Sequence, residues 1–185
     1  LPSQTSACQA GIMFGDNFDI PSFRWYDKDK QKLFVSGKDA TEINDRYAKG
    51  NGLMREGSSI NNMLAGDAAL SILTACNFKT GTPEEKKRRA EDVYLLALNP
   101  YFLMRVMVLF FGDVLLELWQ GWQQRRKKVE PRLDRLHKFY PFVRGAMTVF
   151  MRDISSYLLT LAIVRGSPSI YLTWPGYDEV AHHSG

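Results

Sequence analysis

Cysteine and histidine, the residues that organise many small protein sites, are scarce in this chain. Its 185 residues include two cysteines, Cys8 and Cys76, and three histidines. Two cysteines without C-x-x-C or another ligand spacing exclude a disulfide framework and a thiolate metal site. Both lie among small or apolar residues, where buried free thiols are common. A dominant charge is missing too. The 24 basic and 20 acidic residues leave a formal charge of +4, too mild for a typical nucleic-acid binder, so no nucleic-acid binding is expected. Long hydrophobic runs are absent. The uncharged stretch 106–112 is bounded by Arg105 and Asp113, and 154–164 by Asp153 and Arg165. A spanning helix needs roughly 18 or more apolar residues, so both stretches are expected to be buried or interfacial helices. No signal-peptide pattern is visible. The chain opens on Leu1 rather than Met and stops after a His-His pair, which reads as a fragment of a longer protein.

What is present has the balance of a globular protein. Hydrophobic residues make up 45% and charged residues 24%, which excludes disorder, collagen and a coiled coil. Three textures follow one another. Residues 1–78 mix small residues, glycines and short apolar runs. Residues 79–166 read as helical. Residues 167–185 read as a short strand and a polar loop.

In the first region, Ser6-Ala7-Cys8-Gln9 has the S-x-x-Q pattern of a capping box, with Ser6 as N-cap. The helix it opens is expected to stop at Gly15. Leu33-Phe34-Val35 predicts a strand, 39–49 a helix and 58–64 a strand. Short mixed elements of this kind suggest an α/β core.

The second region opens with Thr82-Pro83-Glu84-Glu85: a cap, a proline at the first helical position, then acids. Asn99-Pro100 starts another helix. Its Leu103, Val106, Met107, Phe110, Val114, Leu118 and Trp122 recur at spacings of three and four, one helical face. Pro141 opens a third helix that stops near Gly166. The two long helices predict a hairpin, and their methionine and aromatic content reads as core packing. Between them Arg125, Arg126, Lys127, Lys128, Arg132, Arg135 and Lys138 crowd together. They are either a solvated helix end or linker, or a patch for anionic lipid headgroups or nucleic acid. His137 in this stretch reads as solvated.

In the third region, 169–174 predicts a strand closed by Pro175-Gly176. Behind it lie Asp178, Glu179, His182 and His183. Ligands of open α/β sheets bind at the carboxyl ends of strands. Asp178 and His182 are four apart, and on a helical turn they share a face. A carboxylate with an imidazole suits zinc or another borderline divalent ion. At the other end of the chain, Thr5 precedes the capped helix, where free N–H groups and the positive dipole end favour a phosphate oxygen. A hydroxyl is a weak nucleophile until a base or metal activates it. The simpler alternative is that Ser3, Thr5 and Ser6 only cap the helix.

Residues 1–15 (LPSQTSACQAGIMFG) and 177–185 (YDEVAHHSG) together resemble the alkaline phosphatase superfamily, in its type I phosphodiesterase/nucleotide pyrophosphatase branch. Residues 19–26, 57–62 and 99–101 resemble a bacterial membrane-associated subgroup of that branch. The resemblance implies a partial alkaline-phosphatase-like α/β sandwich core, interrupted by a helical hairpin insertion. It implies a phosphoric ester hydrolase acting on a diester or pyrophosphate. Thr5 would be the nucleophile, passing through a phosphothreonine, with Ser6 the second choice. Two divalent metal ions, zinc by the resemblance, would serve it. Thr5 would contact one, and Asp178 and His182 would hold the other. Arg24 would contact substrate phosphate, and Ser6 and His183 would stand behind the ligands. The family also requires an aspartate before the nucleophile, and an Asp-His pair and a further His after His182. Those lie outside this chain, which is expected to be inactive alone. The parent protein is expected at a membrane, with residues 99–164 meeting an anionic surface. Two other readings stay open: a non-enzymatic helical module binding membrane or protein, and a phosphotransferase of the same superfamily.

Overall fold

Helix α1 (Thr5–Phe14) ends where the sequence supplies a residue able to turn left-handed: Gly15 caps it at φ 75°. The computed structural model describes residues 4–77, 83–128 and 139–176, and within it the predicted stop at Gly15 is met. The predicted capping box is not. Gln4 is the N-cap, in extended conformation and without a side-chain cap bond. Ser6 lies inside the helix, and its buried Oγ donates to Ser36 Oγ at 3.0 Å. A tertiary partner has taken the hydroxyl that a cap would have used.

The chain divides into two compact units, one of residues 1–91 and 158–173, the other of residues 92–157 and 174–185. The first is mixed α/β. Strands β1 (Arg24–Asp27) and β2 (Lys32–Val35) form an antiparallel pair in which Trp25 faces Phe34. Their rings stack with centroids 5.3 Å apart. Asp27 Oδ1 accepts the Asp29 and Lys30 N–H groups and so shapes the turn between the strands.

Helix α2 (Ala40–Tyr47) follows, shorter by a residue or two at each end than the sequence predicts. Strands β3 (Ser58–Ile60), β4 (Leu70–Ile72) and β5 (Ile170–Leu172) make a parallel sheet in the order β4-β3-β5. The strand predicted over 58–64 is cut short after Ile60, because Asn61 takes φ 56°. All residues of β3 and β4 are buried, as parallel strands usually are. Ala7, Ala10 and Met13 of α1 pack with Ile20, Phe34, Ile43, Tyr47 and Leu64. Two side chains tie the loops to this core: Asn44 Oδ1 accepts the Ala65 N–H, and the Tyr47 hydroxyl accepts that of Asp19.

Helix α3 (Pro83–Ala97) begins at the predicted proline with Glu84 and Glu85 in its first turn. Helix α4 (Pro100–Lys127) is capped as predicted by Asn99, whose side chain accepts the Phe102 N–H. Helix α5 (Tyr140–Gly145) runs through a π-helical stretch, Ala146–Met151, into α6 (Arg152–Val164). Within the second unit, α4 lies antiparallel to residues 140–157 of this composite helix. Arg105 pairs with Asp153 at 2.5 Å, Thr148 Oγ1 donates to Asp113 at 3.1 Å, and Arg144 pairs with Glu117.

Two expectations for these helices are corrected. The face expected to be core is only partly inside. Phe102, Val106, Val114 and Glu117 are buried, while Leu103, Met107, Leu118 and Trp122 are exposed. The charged partners rotate α4, so that Asp113 and Glu117 rather than Leu118 meet the neighbouring helix. The continuous helix Tyr140–Val164, at 25 residues, is also long and apolar enough to cross a membrane. Judging only the uncharged run 154–164 understated it, because the π-helical stretch joins two apolar segments without a break.

Candidate active site

The first turn of α1 is oriented by a side chain one turn further on. Gln9 is 2% exposed and uses both ends of its amide. Its Oε1 accepts the N–H groups of Met63 at 2.8 Å and Leu64 at 3.3 Å. Its Nε2 donates to Thr173 Oγ1 at 3.3 Å and to Asn62 Oδ1 at 3.5 Å. Thr173 Oγ1 in turn donates to Asn62 Oδ1 at 2.6 Å. Asn62 Nδ2 donates to Ser59 Oγ and to the Tyr171 carbonyl, both at 2.8 Å. Asn61 Nδ2 donates to the Thr173 carbonyl at 2.9 Å. Asn61 and Asn62 follow β3, and Thr173 follows β5. The network therefore stands at the carboxyl edge of the parallel sheet, where α/β proteins place ligands.

Thr5 is the first residue of α1 and is exposed. It precedes Gln9 by four residues, so the two project from the same helical face. The free N–H groups of this first turn and the helix dipole favour an anion beside the Thr5 hydroxyl. Ser6 points elsewhere, into its bond with Ser36. Arg24 is exposed on β1, its guanidinium 6.0 Å from the Phe23 ring centroid. Among the described residues, no hydrogen bond or ion pair joins Arg24 to α1. Asp178, His182 and His183 lie outside the described residues, as do His137 and Ser3.

The described residues contain no group of three or more His, Cys, Asp or Glu side chains able to hold a metal ion. Burial pushes the Cys76 thiol up to about 12, so it stays protonated at neutral pH. Sequence spacing does not single out Gln9, Asn62 or Thr173; Gln9 reads there only as part of a capping pattern. The Asn61-Asn62 pair directly behind a short apolar strand was the available signal.

The chain matches no protein-family model, no curated protein and no solved structure.

Proposed function

We propose that this chain is part of a metal-dependent phosphoric ester hydrolase of the alkaline phosphatase type, with a partial sandwich core and Thr5 as nucleophile. One observation carries the reading: the Gln9–Asn62–Thr173 network ties the helix that begins at Thr5 to the end of β5. Asp178 and His182 follow β5 within ten residues of Thr173. Of the two segments that resemble the superfamily, the first is thus bonded to the sheet edge, and the second follows β5 in the sequence.

The chain's own groups divide the work. The first turn of α1 holds a phosphate oxygen on its free N–H groups, and Gln9 keeps the helix in register with the sheet edge. The Thr5 hydroxyl is exposed and aims at phosphorus, while Arg24 is assigned to the substrate's remaining charge. A hydroxyl, a carboxylate and an imidazole form a donor set suited to zinc. Two divalent ions held by Thr5, Asp178 and His182, with ligands from outside this chain, would supply Lewis acidity. Ser6 and His183 are assigned supporting places, with Ser6 acting through Ser36. Diester or pyrophosphate substrates are the preferred class.

The test is Thr5→Ala in the full-length protein, assayed with bis(p-nitrophenyl) phosphate and zinc. Loss of turnover is expected, and hydrolysis at the parental rate would sink the assignment. Product analysis with an added alcohol separates hydrolysis from phosphotransfer, because only a transferase gives the alkylated product as its main one.

A second reading concerns residues 99–164, which we assign to contact with an anionic membrane surface. The exposed apolar residues of α4, beside Arg125, Arg126 and Lys127 in its last turn, favour it.

A further inference from the structure

We infer that α4 and the helix Tyr140–Val164 cross a lipid bilayer as an antiparallel hairpin. This rests on the membrane association proposed above and replaces contact with the surface by insertion. It is independent of the hydrolase assignment.

The hairpin buries its acidic groups among apolar side chains and turns a largely apolar face outward. Between Tyr101 and Trp119 every exposed residue of α4 is apolar or glycine except Arg105. Met104, Val108 and Leu115 are 66%, 66% and 65% exposed. That stretch covers about 28 Å at 1.5 Å per residue, close to the roughly 30 Å hydrocarbon layer. On the second helix within the same unit, Phe142, Val143 and Phe150 are also exposed, together with Arg152. A water-soluble surface rarely carries so continuous an apolar face.

Two acids that argue against spanning are turned inward, and the two exposed arginines, Arg105 and Arg152, both pair with one of them, Asp153. Glu117 and Asp153 are 1% and 3% exposed. Glu117 pairs with Arg144, which also reaches Asp113 at 3.6 Å. Asp153 is held by Arg105 at 2.5 Å and Arg152 at 3.0 Å. Ionisable groups at membrane depth survive when they face a helix neighbour and pair there. Arg105 lies one turn from the Pro100 end, within reach of headgroups. At the opposite end Trp119 and Trp122 precede Arg125, Arg126, Lys127 and Lys128, the order of aromatic belt and cationic anchor seen at bilayer interfaces.

The test is fractionation of the full-length protein from expressing cells, with pelleted membranes washed in alkaline carbonate and in high salt. Retention in the pellet through both washes is expected. Release by either wash leaves a surface contact and overturns insertion. Recovery as a soluble monomer overturns insertion and the membrane association together. A soluble oligomer shows that a second copy covers the face, and also overturns insertion. The Phe111→Glu/Leu115→Lys variant changes two outward residues and none of the buried pairs. It is expected to lose carbonate resistance while keeping its helical circular dichroism, and unchanged resistance would count against the hairpin. Should the variant fail to fold, a bilayer-confined photolabel applied to the unaltered protein decides. Labelling of α4 at 104, 108, 111 or 115 supports insertion, and absence of label there overturns it.

Discussion

Gln9 Oε1 accepts the Met63 backbone N–H at 2.8 Å, although the two stand 54 positions apart in the chain. That bond, with its companion to Leu64, fixes α1 against the loop leaving β3 and so determines where Thr5 stands.

Replacing Gln9 with leucine should therefore destabilise the α/β unit. The Met63 and Leu64 N–H groups lose their acceptor, and an unsatisfied buried donor costs about 1–3 kcal/mol. A loss of that size in urea unfolding is the expected result. An unchanged midpoint would mean that water replaces the amide and that α1 is held by its apolar face alone.

Thr5→Ala should leave stability within about 0.5 kcal/mol of the parent, because the residue is exposed and its removal opens no cavity. Paired with the activity assay, this separates a chemical role from a structural one. A substantial drop in the unfolding midpoint would assign Thr5 to the fold.

Arg144→Leu should cost about 3–5 kcal/mol, because it strands the buried Glu117 carboxylate. The Arg144→Leu/Glu117→Leu double variant should lose less than the single one, since no unpaired charge remains. Thermal unfolding in detergent measures both. Equal losses would show that packing rather than charge pairing dominates there.

The ion cluster on β2 and α2 predicts a pH response with two edges. Lys30, and then Lys32, hold the Glu42 carboxyl down at about 2 through hydrogen bonds. The Val35 N–H, more than Lys32, lowers Asp39. Depressed carboxylates stabilise the fold above their unfolded values and lose that contribution as pH falls, here from about 4.5 toward 2 for Glu42. Lys32 is raised by Glu42 and then Asp39, so its contribution is complete below 10.5 and fades at higher pH. These groups are solvent-screened, and the effect should be small and weaken with salt. A carboxyl titration followed by NMR should place Glu42 well below an ordinary glutamate. A normal value would show that the Lys30 and Lys32 bonds do not persist in solution.

Local signals were legible where backbone chemistry acts alone. Gly15, Asn99-Pro100, Pro83 and Gly166 mark helix ends because of φ freedom, a side-chain acceptor or a missing N–H, and each mark holds in the structure. The mixed α/β character was likewise legible from short elements. Patterns that depend on a distant partner misled. Ser6 has the right neighbours for a cap, yet Ser36 claims its hydroxyl. The stripe from Leu103 to Trp122 has helical spacing, yet spacing cannot say whether the stripe faces protein or something else.

The sequence by itself determined the helix ends marked by Gly15, Pro83, Asn99-Pro100 and Gly166, and that a carboxylate and an imidazole come after the last strand in the chain. Only the tertiary structure decided that Gln9 joins α1 to the carboxyl edge of β3 and β5, because that junction needs segments more than fifty residues apart. It also decided which face of α4 turns inward. Arg105, Asp113 and Glu117 look like isolated charges along one helix, and they find Asp153, Thr148 and Arg144 only when a second helix lies antiparallel beside it. Desolvation makes those pairings a requirement, and beside them Phe102, Val106 and Val114 turn inward while Met104, Val108 and Leu115 face outward.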